Sequence, residues 1–107
     1  MKIKICAIGE CMMELTNAKH VLYSQSIAGD TLNFTSYLDK KIFDTSYFSA
    51  VGTSEVSKRV ISFLQKQKIK TNLVYRISSH EIGLYLIENN KAGEKIFYYW
   101  RDNSAAK

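Results

Sequence analysis

Proline is missing altogether from this 107-residue sequence, where average usage would place about five. No proline-rich linker or polyproline segment therefore needs to be considered. Cysteine is scarce too. Cys6 and Cys11 are separated by four residues, which fits neither a C-x-x-C redox pair nor the usual zinc spacings. The two histidines, His20 and His80, are the only other soft ligands, so no metal site is expected, and the thiols read as reduced, with Cys6 buried in its apolar run. No apolar stretch approaches the roughly 20 residues that span a bilayer. The opening Met1-Lys2-Ile3-Lys4 lacks the apolar core and cleavage site of a signal peptide. A cytoplasmic location without a membrane partner is the expectation. Catalytic signatures are missing as well. There is no Ser/His/acid set, no H-E-x-x-H, no P-loop and no G-x-G-x-x-G, so no catalytic or cofactor-binding residue is assigned in this chain.

The residues present describe a folded domain. Hydrophobic residues make up 46% and charged residues 23%, which excludes wholesale disorder. A chain this long makes one domain and buries roughly 65% of its unfolded surface. Seven Tyr, five Phe and one Trp are enough to build core and site walls. The net charge of +5 comes entirely from residues 51–107, because residues 1–50 balance. Lys66, Lys68 and Lys70 fall where a helix should end and cations complement its negative pole. That structural account leaves little for a nucleic-acid footprint.

Periodicity sets the order of elements. Residues 3–9 predict a buried strand ending in Gly9, followed by a short extended piece at Met12, Met13 and Leu15 and a polar loop over residues 17–24. Asp30 or Thr31 is positioned to cap a helix running to about Lys41, with Phe34, Tyr37 and Leu38 on one apolar face. Residues 46–51 predict a second buried strand. Thr53 or Ser54 opens a second helix whose Val56, Val60, Phe63 and Leu64 recur at i, i+4, i+7 and i+8. A short strand follows over residues 73–77. This β-α-β-α-β order implies right-handed crossovers and a parallel sheet with helices on its faces. Residues 82–88 and 95–101, joined by a Gly-containing turn, predict an antiparallel hairpin apart from that sheet.

Three distant segments carry the candidate chemistry. The first is Ile8-Gly9-Glu10, at the end of the entry strand. The second, Gly29-Asp30-Thr31-Leu32-Asn33, combines a glycine that admits close backbone approach, a helix start with free N–H groups, and polar side chains that bind hydroxyls. An ordinary Gly-Asp turn with a helix cap fits the same residues. The third is Phe97-Tyr98-Tyr99-Trp100-Arg101. Strand alternation puts Tyr99 and Arg101 on one face and Trp100 on the other. The planar guanidinium of Arg101 suits a carboxylate or phosphate, although an exposed Arg closing a packed hairpin fits that spacing equally well.

Taken in order, Ile8 to Leu15, Gly29 to Asn33, Ala50-Val51-Gly52-Thr53, Gly83-Leu84-Tyr85 and Gly93 to Arg101 resemble the N-terminal part of ribokinase-like (PfkB-type) sugar kinases, and within that family the 2-keto-3-deoxygluconate kinases. The resemblance implies a three-layer α/β/α fold with a small β-sheet lid, here residues 10–17 and 82–101, in a single incomplete domain over residues 1–107. It implies that Gly29, Asp30 and Asn33 hold sugar hydroxyls, with Thr31 and Leu32 in the same segment. Tyr85, Tyr99, Trp100 and Arg101 would complete the substrate wall, with Arg101 facing the carboxylate of a small-molecule sugar acid. Family members use ATP and Mg2+ and pair through lid strands as homo-oligomers. The family's late Gly-rich motif with its catalytic Asp has no counterpart here, so this chain is expected to supply the substrate side without binding nucleotide, and to be inactive alone. It is also expected to be marginal, oligomeric or aggregation-prone. Two positions depart from the pattern: Ala28 replaces the first Gly of a Gly-Gly pair, and Ser54 stands where Asp is common. Competing readings are a fructose or ribose kinase and a small basic RNA-binding module with stacking aromatics. Lys95-Ile96-Phe97 lacks the Gly that such a module's strand requires.

Overall fold

In the computed structural model, which describes residues 1–19 and 21–107, seven strands and two helices form two sheets. The first sheet is parallel, in the order β1 (Ile3–Ile8), β4 (Phe43–Val51), β5 (Val74–Arg76). The second is mixed, in the order β3 (Leu22–Ala28), β2 (Met12–Lys19), β6 (Gly83–Asn89), β7 (Lys95–Trp100). The hairpin expected at the end of the chain is β6 paired antiparallel with β7. It stands apart from the parallel sheet and extends a lid, because β6 also runs parallel to β2.

The core lies on one face of the parallel sheet. Thr45, Tyr47, Ser49 and Val51 alternate along β4 and are buried, as period-2 geometry requires of a covered face. Leu32 from α1 (Asp30–Tyr37) and Val60 and Leu64 from α2 (Glu55–Lys66) join Tyr47 and Val51 in one cluster. Both helices therefore pack on the same side. The opposite face stays open, with Ile8, Phe48 and Tyr75 exposed and the last two rings in edge-on contact at 5.8 Å.

That asymmetry corrects the expectation for the cysteines. Ile5 and Ala7 turn inward, so Cys6 between them falls on the open face and is exposed, whereas Cys11 is buried. Burial pushes the Cys11 thiol up to about 11, which leaves it protonated and unreactive at neutral pH.

Helix α1 also differs from its prediction. It ends at Tyr37, with Leu38 already extended and Lys40 Nζ capping the carbonyls of Thr35 and Leu38 at 2.7 and 2.9 Å. Its buried face is Leu32 and Thr35, while Phe34 and Tyr37 are exposed. The N-cap is Gly29, which has no side chain to cap with, rather than Asp30 or Thr31; the Thr31 hydroxyl is bonded to Tyr47 at 2.8 Å instead. Helix α2 forms where predicted and buries Val60 and Leu64, but Val56, expected on that face, is exposed and Ser57 is buried instead; Ser54 is the cap, accepting from Ser57 N at 3.3 Å. Ser54 thus supplies a cap that an Asp would otherwise provide. Past the helix, Lys68 occupies the left-handed region at φ 59°, the position a Gly usually takes. Lys70 pairs with Asp44 at 2.9 Å rather than with the helix end.

Within the polar loop expected over residues 17–24, residues 17–19 are instead the end of β2 and residues 22–24 the start of β3, in antiparallel register from Met12↔Ala28 to Lys19↔Leu22. An edge strand lying over solvent needs no apolar run, so Tyr23-Ser24-Gln25-Ser26 carries no hydropathy signal. His20, considered above as a soft ligand, lies outside the described residues. No helix among the described residues is long and apolar enough to cross a membrane.

Candidate functional site

The three segments singled out in the sequence meet in one cleft of about 480 Å³ between the lid and the first turn of α1. Glu10 and Met12 approach from the β1–β2 connection, Gly29, Asp30, Thr31 and Asn33 from the start of α1, and Tyr85, Phe97, Tyr99 and Arg101 from the hairpin. The cleft sits at the carboxyl ends of the parallel strands, where open α/β sheets bind ligands.

Its floor depends on close backbone approach. Gly29 has φ 143°, and a Cβ there would stand 2.6 Å from the carbonyl oxygen of Glu10. Any side chain at this position would push the helix start away from the lid connection. A Cβ on Gly9 would meet the Thr31 hydroxyl at 2.2 Å, so the end of β1 and the first turn of α1 are packed against each other. With no side chain capping α1, its leading N–H groups are available to acceptors near Asp30.

The aromatic wall follows from strand alternation. Phe97 and Tyr99 share a face of β7, with ring centroids 6.4 Å apart, and Tyr85 stacks on Tyr99 across the hairpin at 5.8 Å. Burial, and then a hydrogen bond to Glu14, push the Tyr85 phenol above its ordinary range.

Arg101 continues that face. Its Nη2 lies 2.9 Å from Glu10 Oε1, an ion pair without the alignment of a hydrogen bond. Ser104 Oγ donates to Glu10 Oε2 at 2.7 Å. The Glu10 side chain is only 12% exposed and that of Arg101 is 44% exposed. The guanidinium is therefore held from behind while its remaining N–H groups face solvent.

Of the nine candidate residues, the structure brings seven to this cleft: Gly29, Asp30, Thr31, Asn33, Tyr85, Tyr99 and Arg101. Leu32 is fully buried and faces the core rather than the cleft. Trp100 does not line this cleft; it borders a neighbouring depression with Ser79, Ile82 and Asn103, whose rim Tyr99 and Arg101 share. Glu14 went unsuspected as a partner of the site. Its position in an apparently short extended piece hid it, and only the pairing of β2 with β6 puts it opposite Tyr85. The donors in the cleft suit a hydroxylated acid.

Residues 2–107 match the profile of the pfkB family carbohydrate kinases. The chain belongs to that family. It is 43% identical to the 2-dehydro-3-deoxygluconokinase of Haemophilus influenzae over 97% of its own length, and 38% identical to that of Dickeya dadantii over 96%. It spans about a third, 34%, of each of these curated relatives. Among solved structures, the 2-dehydro-3-deoxygluconokinase of Thermotoga maritima superposes with a TM-score of 0.85 at 21% identity, covering 97% of this chain and 34% of the other. A fructokinase from Xylella fastidiosa gives 0.87 at 16%, covering 99% and 34%. These matches establish the ribokinase-like α/β architecture of its N-terminal portion, lid included.

Proposed function

We propose that this pfkB-family chain forms the substrate-binding part of a cytoplasmic, ATP- and Mg2+-dependent kinase that phosphorylates 2-keto-3-deoxygluconate on its 6-hydroxyl. The observation that carries the reading is Arg101, a guanidinium held by Glu10 at the end of an aromatic wall and facing the hydroxyl-binding start of α1. A neutral sugar gives a guanidinium no anionic partner, whereas a sugar acid does. Gly29, Asp30 and Asn33 bind hydroxyls, Tyr85 and Tyr99 flank the carbon chain, and Arg101 takes the carboxylate. The names of the relatives at 38–43% identity support this choice over a fructose or ribose kinase.

Phosphoryl transfer also requires a base for the acceptor hydroxyl and a site for nucleotide and metal. In this reading those groups lie outside the 107 residues, and these residues alone catalyse nothing. Copies pair through the outer lid face, where Tyr98 and Trp100 are half-exposed. Light scattering of Tyr98→Lys tests that pairing, and an unchanged mass would count against it.

The functional test is a chimera in which residues 1–107 replace the equivalent third of the Haemophilus influenzae enzyme. Its ATP-dependent turnover is measured on 2-keto-3-deoxygluconate, fructose and ribose. Preference for the acid is expected. Preference for fructose or ribose would overturn the substrate assignment, and turnover by the 107 residues alone would overturn the division of labour.

A further inference from the structure

Four residues lie side by side across the lid, one from each strand. The strand registers place Ser26 opposite Glu14, Glu14 opposite Tyr85, and Tyr85 opposite Tyr99. The row is bonded along its length. Ser26 Oγ donates to Glu14 Oε2 at 2.8 Å, the Tyr85 hydroxyl donates to Glu14 Oε1, and the Tyr85 and Tyr99 rings stack. Tyr85 and Tyr99 line the cleft, and Glu14 stands behind them.

A phenol carries one proton, and an ionised carboxylate has none to give back. With that proton committed to Glu14, the Tyr85 oxygen turns only lone pairs toward the cleft. We propose that Glu14 is a positioning residue that makes Tyr85 a hydrogen-bond acceptor and thereby sets the direction in which a polyol acid lies: a ligand hydroxyl at Tyr85, the carboxylate at Arg101. The proposal rests on the sugar-acid reading above.

The chemistry of the two ends supports this direction. A ligand hydroxyl has a proton to donate to Tyr85. A ligand carboxylate there would meet lone pairs, with the Glu14 charge behind them. Two residues past Tyr99, just beyond the end of β7 and about 7 Å on for an extended chain, Arg101 offers donors and positive charge. It lies beside Gly83, where an added Cβ would be 3.2 Å from the Arg101 Cβ. Acceptor and donor ends thus occupy adjacent rows of one sheet face.

Two variants separate positioning from simple cross-strand support. Glu14→Leu removes the acceptor and frees the Tyr85 proton to point into the cleft. Glu14→Gln keeps an amide oxygen that accepts from Tyr85. Binding of 2-keto-3-deoxygluconate to the chain is measured by titration calorimetry for the wild type, both variants, Tyr85→Phe and the Glu14→Leu/Tyr85→Phe double variant. In parallel, the Tyr85 ring-carbon NMR shift next to the hydroxyl is recorded without ligand at neutral pH. Glu14→Leu and Tyr85→Phe should each weaken binding about five- to tenfold, and the double variant no more than either alone. Glu14→Gln should recover most of the loss, and the Tyr85 signal should move in Glu14→Leu as its donated hydrogen bond is lost. Losses that multiply in the double variant, a Glu14→Gln as damaging as Glu14→Leu, or an unmoved Tyr85 signal would each overturn the proposal. A wild-type chain that binds no sugar acid, while the Tyr85 signal still depends on Glu14, overturns the functional reading and upholds the proton assignment.

Discussion

The two sheets of this molecule are built by different rules. The parallel sheet of β1, β4 and β5 is held from one side by a dry cluster, with Tyr47, Leu32, Val60 and Leu64 all fully buried. The lid of β3, β2, β6 and β7 has few buried side chains, and every residue of β7 is exposed. What orders the lid's inner face is polar: Ser26, Glu14 and Tyr85 in one bonded row, and Arg101, Glu10 and Ser104 beside it. Apolar burial stabilises the first region, and directional bonds shape the second for a ligand. Changes in the first should therefore be read in stability, and changes in the second in binding.

The sharpest test of that division is Leu64→Ala, which deletes a fully buried side chain of α2 and should cost about 2–5 kcal/mol. Leu22→Ala on lid strand β3, at an exposed side chain, should cost less than about 1 kcal/mol. Urea midpoints of the two variants check this, and equal losses would erase the distinction between the sheets.

The buried face also carries a pH signature. Burial raises the Cys11 thiol from 9.0 to about 11 and the Tyr47 phenol from 10.0 to about 12. For groups whose folded pKa is raised, the stabilisation is complete below the unfolded value and is lost as pH climbs through the folded one. Stability should therefore be flat to about pH 9 and fall between pH 9 and 12, each group accounting for on the order of 2–3 kcal/mol. Cys11→Val should remove the earlier part of the fall. A variant whose alkaline unfolding curve superposes on the wild type would assign the loss to other groups.

On the lid side, Arg101→Leu in the chimeric kinase should lower kcat/KM on the sugar acid about ten- to a hundredfold, for loss of charge-assisted bonds of roughly 1.5–3 kcal/mol each. A neutral ketose should lose little. Tyr99→Phe removes a neutral hydroxyl and should cost about 0.5–1.5 kcal/mol. If Arg101→Leu costs both sugars alike, Arg101 supports the lid through Glu10 instead of reading the substrate. The smallest effect is a gain. Lys68 holds φ 59° past α2, and Lys68→Gly should add about 0.5–1 kcal/mol by relieving the left-handed strain. Thermal melts measure it, and a fall in stability would mean that the lysine side chain matters more than its backbone.

How much of this was legible beforehand follows the same division. β1, β5 and α2 lie close to their predicted ends, and β4 ends as predicted but begins three residues earlier, because burying one face forces a hydrophobic period. The hairpin of β6 and β7 was read from its turn chemistry. The sequence predicts a loop over residues 17–24 and no strand through Ala28, where β3 lies, since Ser24, Gln25 and Ser26 on a solvated edge leave no apolar trace. The face of α1 was misassigned because Thr35, a polar residue, is buried through its bond to the Thr31 carbonyl at 2.7 Å, while the apolar Phe34 and Tyr37 stay out.

The sequence by itself determined the family, the β-α-β-α-β order, the closing hairpin and the segments that line the cleft, because each is written in local patterns: a Gly where backbones meet, a period of 2 or 3.6, an aromatic strand closed by Arg101. Only the tertiary structure decided which partner each site residue has. Glu10 with Arg101 and Glu14 with Tyr85 are 91 and 71 residues apart, and such contacts depend on strand order and register. Nothing in the local pattern around Glu14 encodes that β6 returns to run parallel beside β2, so its role becomes visible only once the lid has closed its sheet.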